Sequence, residues 1–405
     1  MTSPSESPHI LTGSTLFLLS GLAAMGSLAT NIILPVFPGM GAELGVEPRD
    51  LGLTLSSFFI AFALGQLFVG PLADRFGRRP LVVGGLVTFV IGSLICALAQ
   101  SLDVIIFGRV IQALGACAAS VLARAIARDL FDGDALARTL SLIMIAMAAA
   151  PGFSPLVGSL LGELLGWRFI FVGVSLFAVA LGIFFVRRLG ETQPINARQS
   201  LRLQTVILAY AALASDRRFI YPALAVSLTL GMLLTFFATA PAILISELGL
   251  SGLQLSLYFA ATVFIVFGAG FLAPRLAGRW GQGNAVMVGA VIALIGSLLI
   301  LSQAAEPTLL SITAGLGLFL LGMGLVNPLG TGIALQPFSH NAGLASALLG
   351  FLQMACAAIG ATAASVLPLP PTLALAATMT AGSVLALLVF IPVIVQQTHT
   401  RAALS

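Results

Sequence analysis

The sequence has no lysine, and its acidic and basic residues together make up only 8% of 405 positions. Soluble globular proteins carry about 25% charged residues. So few charges cannot cover the surface of a water-soluble protein of this length, and most of the surface must therefore face lipid. The net charge of +4 gives no indication of nucleic-acid binding, and none is predicted.

Cysteine and histidine are also scarce, with three of each. Cys96, Cys117 and Cys356 lie inside apolar runs without the spacing of metal ligands, so we interpret them as packing residues. The histidines lie in polar segments, away from any partner at membrane depth, and the chain has no Gly-Lys phosphate-binding loop. We therefore predict neither an enzyme nor an ATP-driven pump, and neither a metal nor a cofactor.

Long apolar runs dominate the chain instead. Hydrophobic residues make up 59% of it, and its mean hydropathy is +1.10. A helix needs about 20 apolar residues to cross the hydrocarbon core of a bilayer. Twelve such runs cover residues 11–38, 51–71, 81–99, 104–127, 136–161, 167–186, 219–245, 253–274, 285–303, 308–327, 344–367 and 372–395. We predict an all-α membrane protein with twelve transmembrane helices: an N-terminal six-helix bundle (1–186), a polar cytoplasmic linker (187–218) and a C-terminal six-helix bundle (219–405).

The arginines are distributed unequally between the two predicted sides of the membrane. With both termini inside, the outer loops contain only Arg49 and Arg168. The inner side contains the linker arginines and Arg75, Arg78, Arg79, Arg128, Arg138, Arg275, Arg279 and Arg401. Cytoplasmic loops are rich in basic residues. The bias therefore predicts a multi-pass protein of the bacterial inner membrane with both termini in the cytoplasm.

An internal repeat relates the two halves. Residues 72–77 (LADRFG) follow the second run, and residues 276–281 (LAGRWG) follow the eighth, 204 residues later. Pro35 and Pro241, near the ends of the first and seventh runs, lie 206 residues apart. Parallel halves related by an axis along the membrane normal enclose a substrate site at the bilayer midplane. The repeat predicts two pseudo-symmetric bundles that rock against each other, and it favours a transporter over a channel.

The most informative segment is residues 70–80, GPLADRFGRRP. Its Gly and Pro residues predict a tight turn, and Asp74 is placed to meet the positive end of a neighbouring helix. The segment resembles the cytoplasmic loop signature of the major facilitator superfamily, and the resemblance covers the whole chain. It implies that Asp74 and Arg78, with Asp129 as acidic partner, fasten the halves together in the outward-open state. The implied gating-loop residues are Gly70, Asp74, Arg75, Gly77, Arg78, Arg79 and Asp129.

Arg109 lies several residues inside the fourth run, where a charge is costly and marks a candidate functional residue. The surrounding segment, RVIQALG, resembles the superfamily's helix-four motif, in which the Arg is tied to proton coupling. The resemblance implies that Arg109 is a candidate for proton coupling, and Asp74 and Asp129 are the two other candidates.

The fifth run contains two prolines and two glycines that affect helix geometry. Pro151 and Pro155 remove backbone donors and bend a helix, whereas Gly152 and Gly158 permit close helix contacts. The segment resembles the helix-five motif that is associated with exporters rather than importers.

Three further segments narrow the resemblance: LPVFP at residues 34–38, RAIARDLF at 124–131 and GWRFIF at 166–171. Together they are similar to the bicyclomycin and chloramphenicol resistance branch (Bcr/CflA) of the twelve-helix drug:proton antiporters. The resemblance implies a monomeric secondary active exporter of small drug-like molecules that works by alternating access and proton antiport.

The chain departs from that branch in the first run, where Asn31 stands in place of the usual Asp. Asn31 cannot release a proton, Arg109 keeps its own, and no carboxylate lies in the middle of a run. Proton coupling then runs through Asp74 or Asp129, through a carboxylate on the substrate, or not at all. A cavity that holds Arg109 without an acid repels lipophilic cations, which favours neutral or anionic substrates.

By analogy with the superfamily, the cavity-lining helices are the first, fourth, seventh and tenth. The candidate residues are Met25, Asn31, Arg109, Gln112, Phe236, Phe237 and Asn327, with Met144, Met147, Tyr258, Gln353 and Met354 as weaker choices. An apolar pocket with a few polar groups suits drug-sized ligands. The alternative function is a major facilitator importer or facilitator of a small metabolite.

Overall fold

The computed structural model describes residues 12–193 and 203–402, and these residues form helices joined by short connections, without a strand. The helices are α1 (Gly13–Asn31), α2 (Phe37–Leu44), α3 (Gly52–Phe76), α4 (Arg78–Ala97), α5 (Leu102–Leu130), α6 (Gly133–Leu165), α7 (Trp167–Arg188), α8 (Leu203–Ser215), α9 (Arg217–Ala240), α10 (Gly252–Trp280), α11 (Gln282–Ser302), α12 (Leu309–Leu335), α13 (Ala342–Val366) and α14 (Pro371–Ala402). Twelve helical segments are long and apolar enough to cross a membrane, with α1 and α2 forming one of them. The predicted all-α, twelve-span fold is confirmed.

The two ends of the bundle differ in charge. The junction of α3 with α4 and the last turns of α5 and α10 carry Arg75, Arg78, Arg128 and Arg279, and we call this the arginine-rich end. The opposite end, which we call the arginine-poor end, carries Arg49 before α3 and Arg168 at the start of α7. Because the number of spans is even, α1 begins and α14 ends at the arginine-rich end.

The halves repeat each other in packing. In the first half α4 packs against α5 and α7, and α1 packs against α5 and α6. In the second half α11 packs against α12 and α14, and α9 packs against α12 and α13. The repeated sequence segments end alike, because Gly77 and Gly281 both have a positive φ, of 96° and 82°, which favours glycine. The internal repeat seen in the sequence is therefore also a repeat of structure.

The chain reverses between α3 and α4 at Gly77 rather than at the preceding Gly and Pro residues. Gly70 and Pro71 both lie inside α3, which continues to Phe76, so the predicted turn at these positions is wrong. A proline removes only one backbone donor, and membrane helices tolerate this because neighbouring groups satisfy the freed carbonyl. Gly77 ends α3, and its N–H group donates to the carbonyl of Ala73.

The two halves meet at the arginine-poor end through Arg49. Its Nε atom lies 2.6 Å from the carbonyl oxygen of Ser365, and one terminal nitrogen lies 3.1 Å from that of Leu369. The other terminal nitrogen donates to the carbonyl of Leu367. Since the last carbonyls of a helix have no intrahelical partner, Arg49 supplies donors to the end of α13. These bonds hold the arginine-poor end closed.

The predicted linker contains a helix, α8, that contacts both halves. The Tyr210 hydroxyl donates to the carbonyl of Leu67 in α3 over 3.2 Å, and α8 also packs against α13. Burial raises the pKa of Tyr210 to about 12, so the hydroxyl keeps its proton. The predicted linker arginines Arg198 and Arg202 lie outside the described residues. The domain limits at 186 and 218 stay a prediction.

Candidate substrate cavity

A cavity of about 480 Å³ lies between the two halves, within the range of drug-sized ligand sites. Its wall comes from α1, α3, α5 and α6 of the first half and from α9, α10, α12 and α13 of the second. On α5 the lining residues are Ser120, Val121 and Arg124, and on α12 they extend to Leu335, in both cases towards the arginine-rich end. The cavity therefore opens at the arginine-rich end, opposite the closure made by Arg49.

Nine aromatic and methionine side chains form a large part of the apolar wall. They are Phe58, Phe59, Phe62, Phe237, Phe267, Met144, Met147, Met323 and Met354. Flat rings and flexible thioether chains adapt to ligands of varied shape. The wall can therefore contact apolar ligands of different shapes.

The polar wall consists of amides, hydroxyl groups and one guanidinium group. The long polar side chains are Asn31, Gln66, Arg124, Asn327 and Gln353. No carboxylate from the described segments lines the cavity. The cavity is therefore neutral to positive, and its described wall offers no acidic counter-ion to a cationic ligand.

The predicted cavity residues divide into two groups. Asn31, Phe237 and Asn327 line the cavity, together with the weaker choices Met144, Met147, Gln353 and Met354. The other predicted residues do not line the cavity, and the prediction is corrected for Met25, Arg109, Gln112 and Phe236, which are buried behind its wall. Tyr258, a weaker choice, also lies outside the lining. Tertiary packing is the reason. Phe236, for example, packs its ring against Phe237 and Phe259.

Arg109 is fully buried in a polar network inside the first half. One terminal nitrogen donates to the carbonyl of Ala29 over 3.0 Å and to the side chain of Gln112, which in turn donates to Ser93 over 2.6 Å. The guanidinium lies 4.5 Å from the ring centre of Phe58, which itself lines the cavity. Its Nε atom and other terminal nitrogen have no hydrogen-bond partner among the described residues. Arg109 thus supports the cavity wall from behind.

Asn31 lies at the end of α1 and reaches the deep part of the cavity. Its amide nitrogen donates to the carbonyl of Ser27 over 2.8 Å and to the Thr30 hydroxyl over 3.0 Å. Its amide oxygen is buried and has no hydrogen-bond partner in the part of the chain that the structure describes. The side chain can therefore still accept one hydrogen bond, but it cannot carry a proton.

Sequence reasoning missed Arg124, Gln66 and Phe58 as residues of the cavity. Arg124 had the same signal as Arg109, because it also lies inside the fourth apolar run, where a charge marks a candidate functional residue. Arg109 is therefore not the one ionisable group that lies deep in an apolar run. Gln66 and Phe58 lie two turns apart on α3, and only the packing of α3 against α13 reveals which face borders the cavity.

The gating-loop charges come together at the arginine-rich end. Arg78 lies 2.6 Å from Asp74 and 3.1 Å from Asp129, which joins α3, α4 and α5 of the first half. The other residues of the gating loop do not join these ion pairs. No atom lies within 4 Å of the Cβ position of Gly70, Arg75 stacks on the neighbouring Phe76, and Arg79 is exposed. The contact across the halves that Asp74 and Arg78 are expected to make in the outward-open state stays a prediction.

Residues 191–193, which follow α7, attach to this charged cluster. The Glu191 carboxylate accepts from the backbone N–H groups of Arg78 and Arg79, at 2.8 and 3.3 Å, at the start of α4. A carboxylate is stabilised at a helix N-terminus by the unpaired N–H groups and the helix dipole. Thr192 donates to Asp129 over 3.0 Å. The start of the linker is therefore fixed to the gating loop.

The fifth span, α6, runs from Gly133 to Leu165 through both prolines, Pro151 and Pro155. Its two motif glycines face different neighbours. A Cβ atom at Gly152 would meet Val263 of α10, in the other half, and a Cβ atom at Gly158 would meet the carbonyl of Ile32 after α1. The glycines therefore allow α6 to approach both the first span and the opposite half.

Comparison with known proteins agrees with this architecture. The profile of the Major Facilitator Superfamily matches residues 17–361. Multidrug resistance protein D of Escherichia coli is 27% identical over 386 residues, which cover 95% of this chain and 96% of that protein. A chloramphenicol resistance protein of Pseudomonas aeruginosa is 30% identical over 352 residues, covering 86% and 83% of the two chains.

Among solved structures, a D-xylose–proton symporter has the same fold, with a TM-score of 0.72, 14% identity and coverage of 92% of this chain and 96% of that one. These proteins are transporters, which agrees with the prediction that the chain is not an enzyme. The match over most of the chain, the twelve spans and the paired six-helix bundles lead to one conclusion: the chain belongs to the Major Facilitator Superfamily.

Proposed function

We propose that this protein exports small drug-like molecules across the bacterial inner membrane by alternating access. The observation that carries the proposal is the cavity of about 480 Å³ between the halves, which aromatic and methionine side chains line and which extends towards the arginine-rich end. The relatives named for multidrug and chloramphenicol resistance support the same class of substrate. The chain acts as a monomer in this proposal, since one chain encloses the cavity.

The arginine-rich end is the cytoplasmic side in this proposal. Basic residues accumulate in cytoplasmic loops, and this end carries most of the arginines. Both termini then lie in the cytoplasm. A cavity open on that side receives substrate from the cytoplasm or the inner leaflet, which suits the first step of export. Residues 187–218 form the linker between an N-terminal bundle (1–186) and a C-terminal bundle (219–405).

The proton gradient is the proposed energy source, although the cavity offers no carboxylate among the described residues. Asp74 and Asp129 are the candidate carriers at the cytoplasmic rim, where both pair with Arg78. Protonation of either would weaken that pairing, which gives a route from proton binding to movement of the gating loop. Arg109 contributes by holding α1, α3 and α5 together rather than by titrating.

Expression in an efflux-deficient strain on a panel of antibiotics tests the proposed direction. An exporter raises the minimum inhibitory concentration of its substrates, chloramphenicol among them, whereas an importer of the same drugs lowers it. A matched pair on α10 ties the effect to the cavity: Phe267 lines it, whereas Phe264 is 69% exposed and does not.

We expect Phe267→Ala to change the resistance spectrum and Phe264→Ala to leave it unchanged at equal expression. No resistance to any drug of the panel, or equal effects of both substitutions, would contradict the proposal.

A further inference from the structure

Arg124 is the charged side chain of the cavity wall in the parts of the chain that the structure describes. It lies on α5, where a lone cation would be costly unless solvent or a ligand reaches it. Its guanidinium makes no hydrogen bond and no ion pair with any described residue. Arg109, in contrast, is separated from the cavity by the ring of Phe58. Arg124 is therefore the cation that a bound molecule meets.

The two carboxylates of the gating loop, at the same end, already have partners. Asp74 and Asp129 both pair with Arg78, and Asp129 also accepts from Thr192. The charge nearest to Arg124 along α5 is another arginine, Arg128, one turn further on. The protein thus provides no described counter-ion for Arg124, and the positive charge remains available in the cavity.

Three amide side chains extend this donor group around the cavity. Gln66 of α3, Asn327 of α12 and Gln353 of α13 all line it, and none forms a hydrogen bond with another described residue. Each can donate two N–H groups to an oxygen of a ligand. A guanidinium and amide donors that line one cavity without an acid are an arrangement that can bind an anion through charge-assisted hydrogen bonds.

We propose that the cavity selects amphiphilic organic anions, in which a carboxylate binds Arg124 and an aromatic or apolar body packs on the phenylalanine and methionine wall. This inference rests on the proposed export function and names the substrate class. The planar guanidinium fork matches a carboxylate in two parallel hydrogen bonds. Cationic drugs gain no such contact and meet a repulsive charge, so they are excluded.

Chloramphenicol and chloramphenicol succinate form a matched pair of probes, since they share one aromatic body and only the succinate carries a carboxylate. Binding of each is measured by calorimetry on the purified full-length protein, and uptake of each is measured in everted membrane vesicles. The variants are Arg124→Gln, which removes the charge, and Arg124→Lys, which keeps it. Arg138→Gln, an exposed arginine at the same end of the bundle, is the control.

For wild type we expect the succinate to bind more tightly than the neutral drug. Arg124→Gln should lower the ratio of succinate to chloramphenicol affinity by about tenfold or more, the size of one charge-assisted hydrogen bond. Arg124→Lys should restore most of this ratio, and Arg138→Gln should match wild type.

An unchanged ratio in a folded Arg124→Gln protein, or no binding of chloramphenicol succinate to wild type, overturns the inference. Binding of both probes with the expected ratios but no uptake of either contradicts the export function and leaves the anion site supported.

Discussion

Arg49 offers a direct test of how the arginine-poor end is kept closed. This one side chain from the first half donates to three backbone carbonyls at and after the end of α13 in the second half. In an outward-open state these groups must separate, because the two halves tilt apart at that end. Arg49→Ala removes all three bonds and leaves the backbone that accepts them unchanged.

The magnitude follows from the kind of bond and its exposure. A hydrogen bond contributes about 0.5–1.5 kcal/mol net, and more when the donor is charged. Arg49 is only partly buried, and Leu367 is 36% exposed, so water replaces part of what is lost. Taking about 0.7 kcal/mol per bond gives about 2 kcal/mol, which shifts the equilibrium towards the outward-open state by about thirtyfold.

Double electron–electron resonance measures this shift directly. Spin labels on cysteines at Glu47 and Glu306 report the separation of the halves at the arginine-poor end, and labels at Arg138 and Arg275 report the opposite end. The three native cysteines are replaced by alanine. For Arg49→Ala we expect longer distances in the first pair and shorter distances in the second.

Arg168→Ala is the matched control, because Arg168 lies at the same end but bonds to Glu43 and to the carbonyl of Ala99, both in its own half. Distance distributions that are the same in wild type, Arg49→Ala and Arg168→Ala would refute the reasoning, since Arg49 would then contribute nothing to the closure. An equal shift in both variants would refute it as well, because the effect would reflect loss of any arginine at this end.

Two further predictions concern packing and energetics. Gly158→Ala places a methyl group against the backbone carbonyl of Ile32, which cannot rotate away, so we expect a loss of about 1–3 kcal/mol and a lower melting temperature. Gly268→Ala, with nothing within 4 Å of its Cβ position, is the control and should melt at the wild-type temperature or above it. If the substrate is an anion, a membrane potential of 100 mV, negative inside, adds about 2.3 kcal/mol per charge to its export. A potassium diffusion potential should then accelerate transport of chloramphenicol succinate more than that of chloramphenicol, because proton entry responds to the potential in both cases and only the succinate adds a charge of its own. Equal responses would contradict a charged substrate.

Much of the fold could be predicted from local features of the chain. The twelve runs have the length that a bilayer requires, and their starts agree with the observed segments to within three residues. Their ends agree less well, because the tenth segment continues to Phe338 instead of ending at Asn327. The repeat of residues 72–77 at 276–281 indicated the two matching halves, and Gly77 and Gly281 proved to be equivalent caps. The prediction of a turn at Gly70 and Pro71 was wrong. It relied on the low helix propensity of these residues, which does not account for the neighbouring groups that stabilise a proline within a membrane helix.

The candidate site was predicted less well, and the two arginines of α5 show why. Both lie in one apolar run, and a separation of 15 residues places them within about 60° of each other around the helix but about 22 Å apart along it. Hydropathy and motif therefore give the same prediction for both arginines, a charged residue inside an apolar helix. Arg109 lies towards the arginine-poor end, where the halves are closed, and α1, α3 and α4 enclose it. Arg124 lies towards the open end and faces the cavity.

The sequence by itself determined that this chain spans a membrane twelve times, that its halves are related, and that few charges enter the lipid region, because each of these depends on composition and spacing along one chain. Only the tertiary structure decided which of those charges meets a ligand. That choice depends on how the two halves are tilted, and it is a property of contacts between residues such as Arg49 and Ser365, which are 316 positions apart in the sequence.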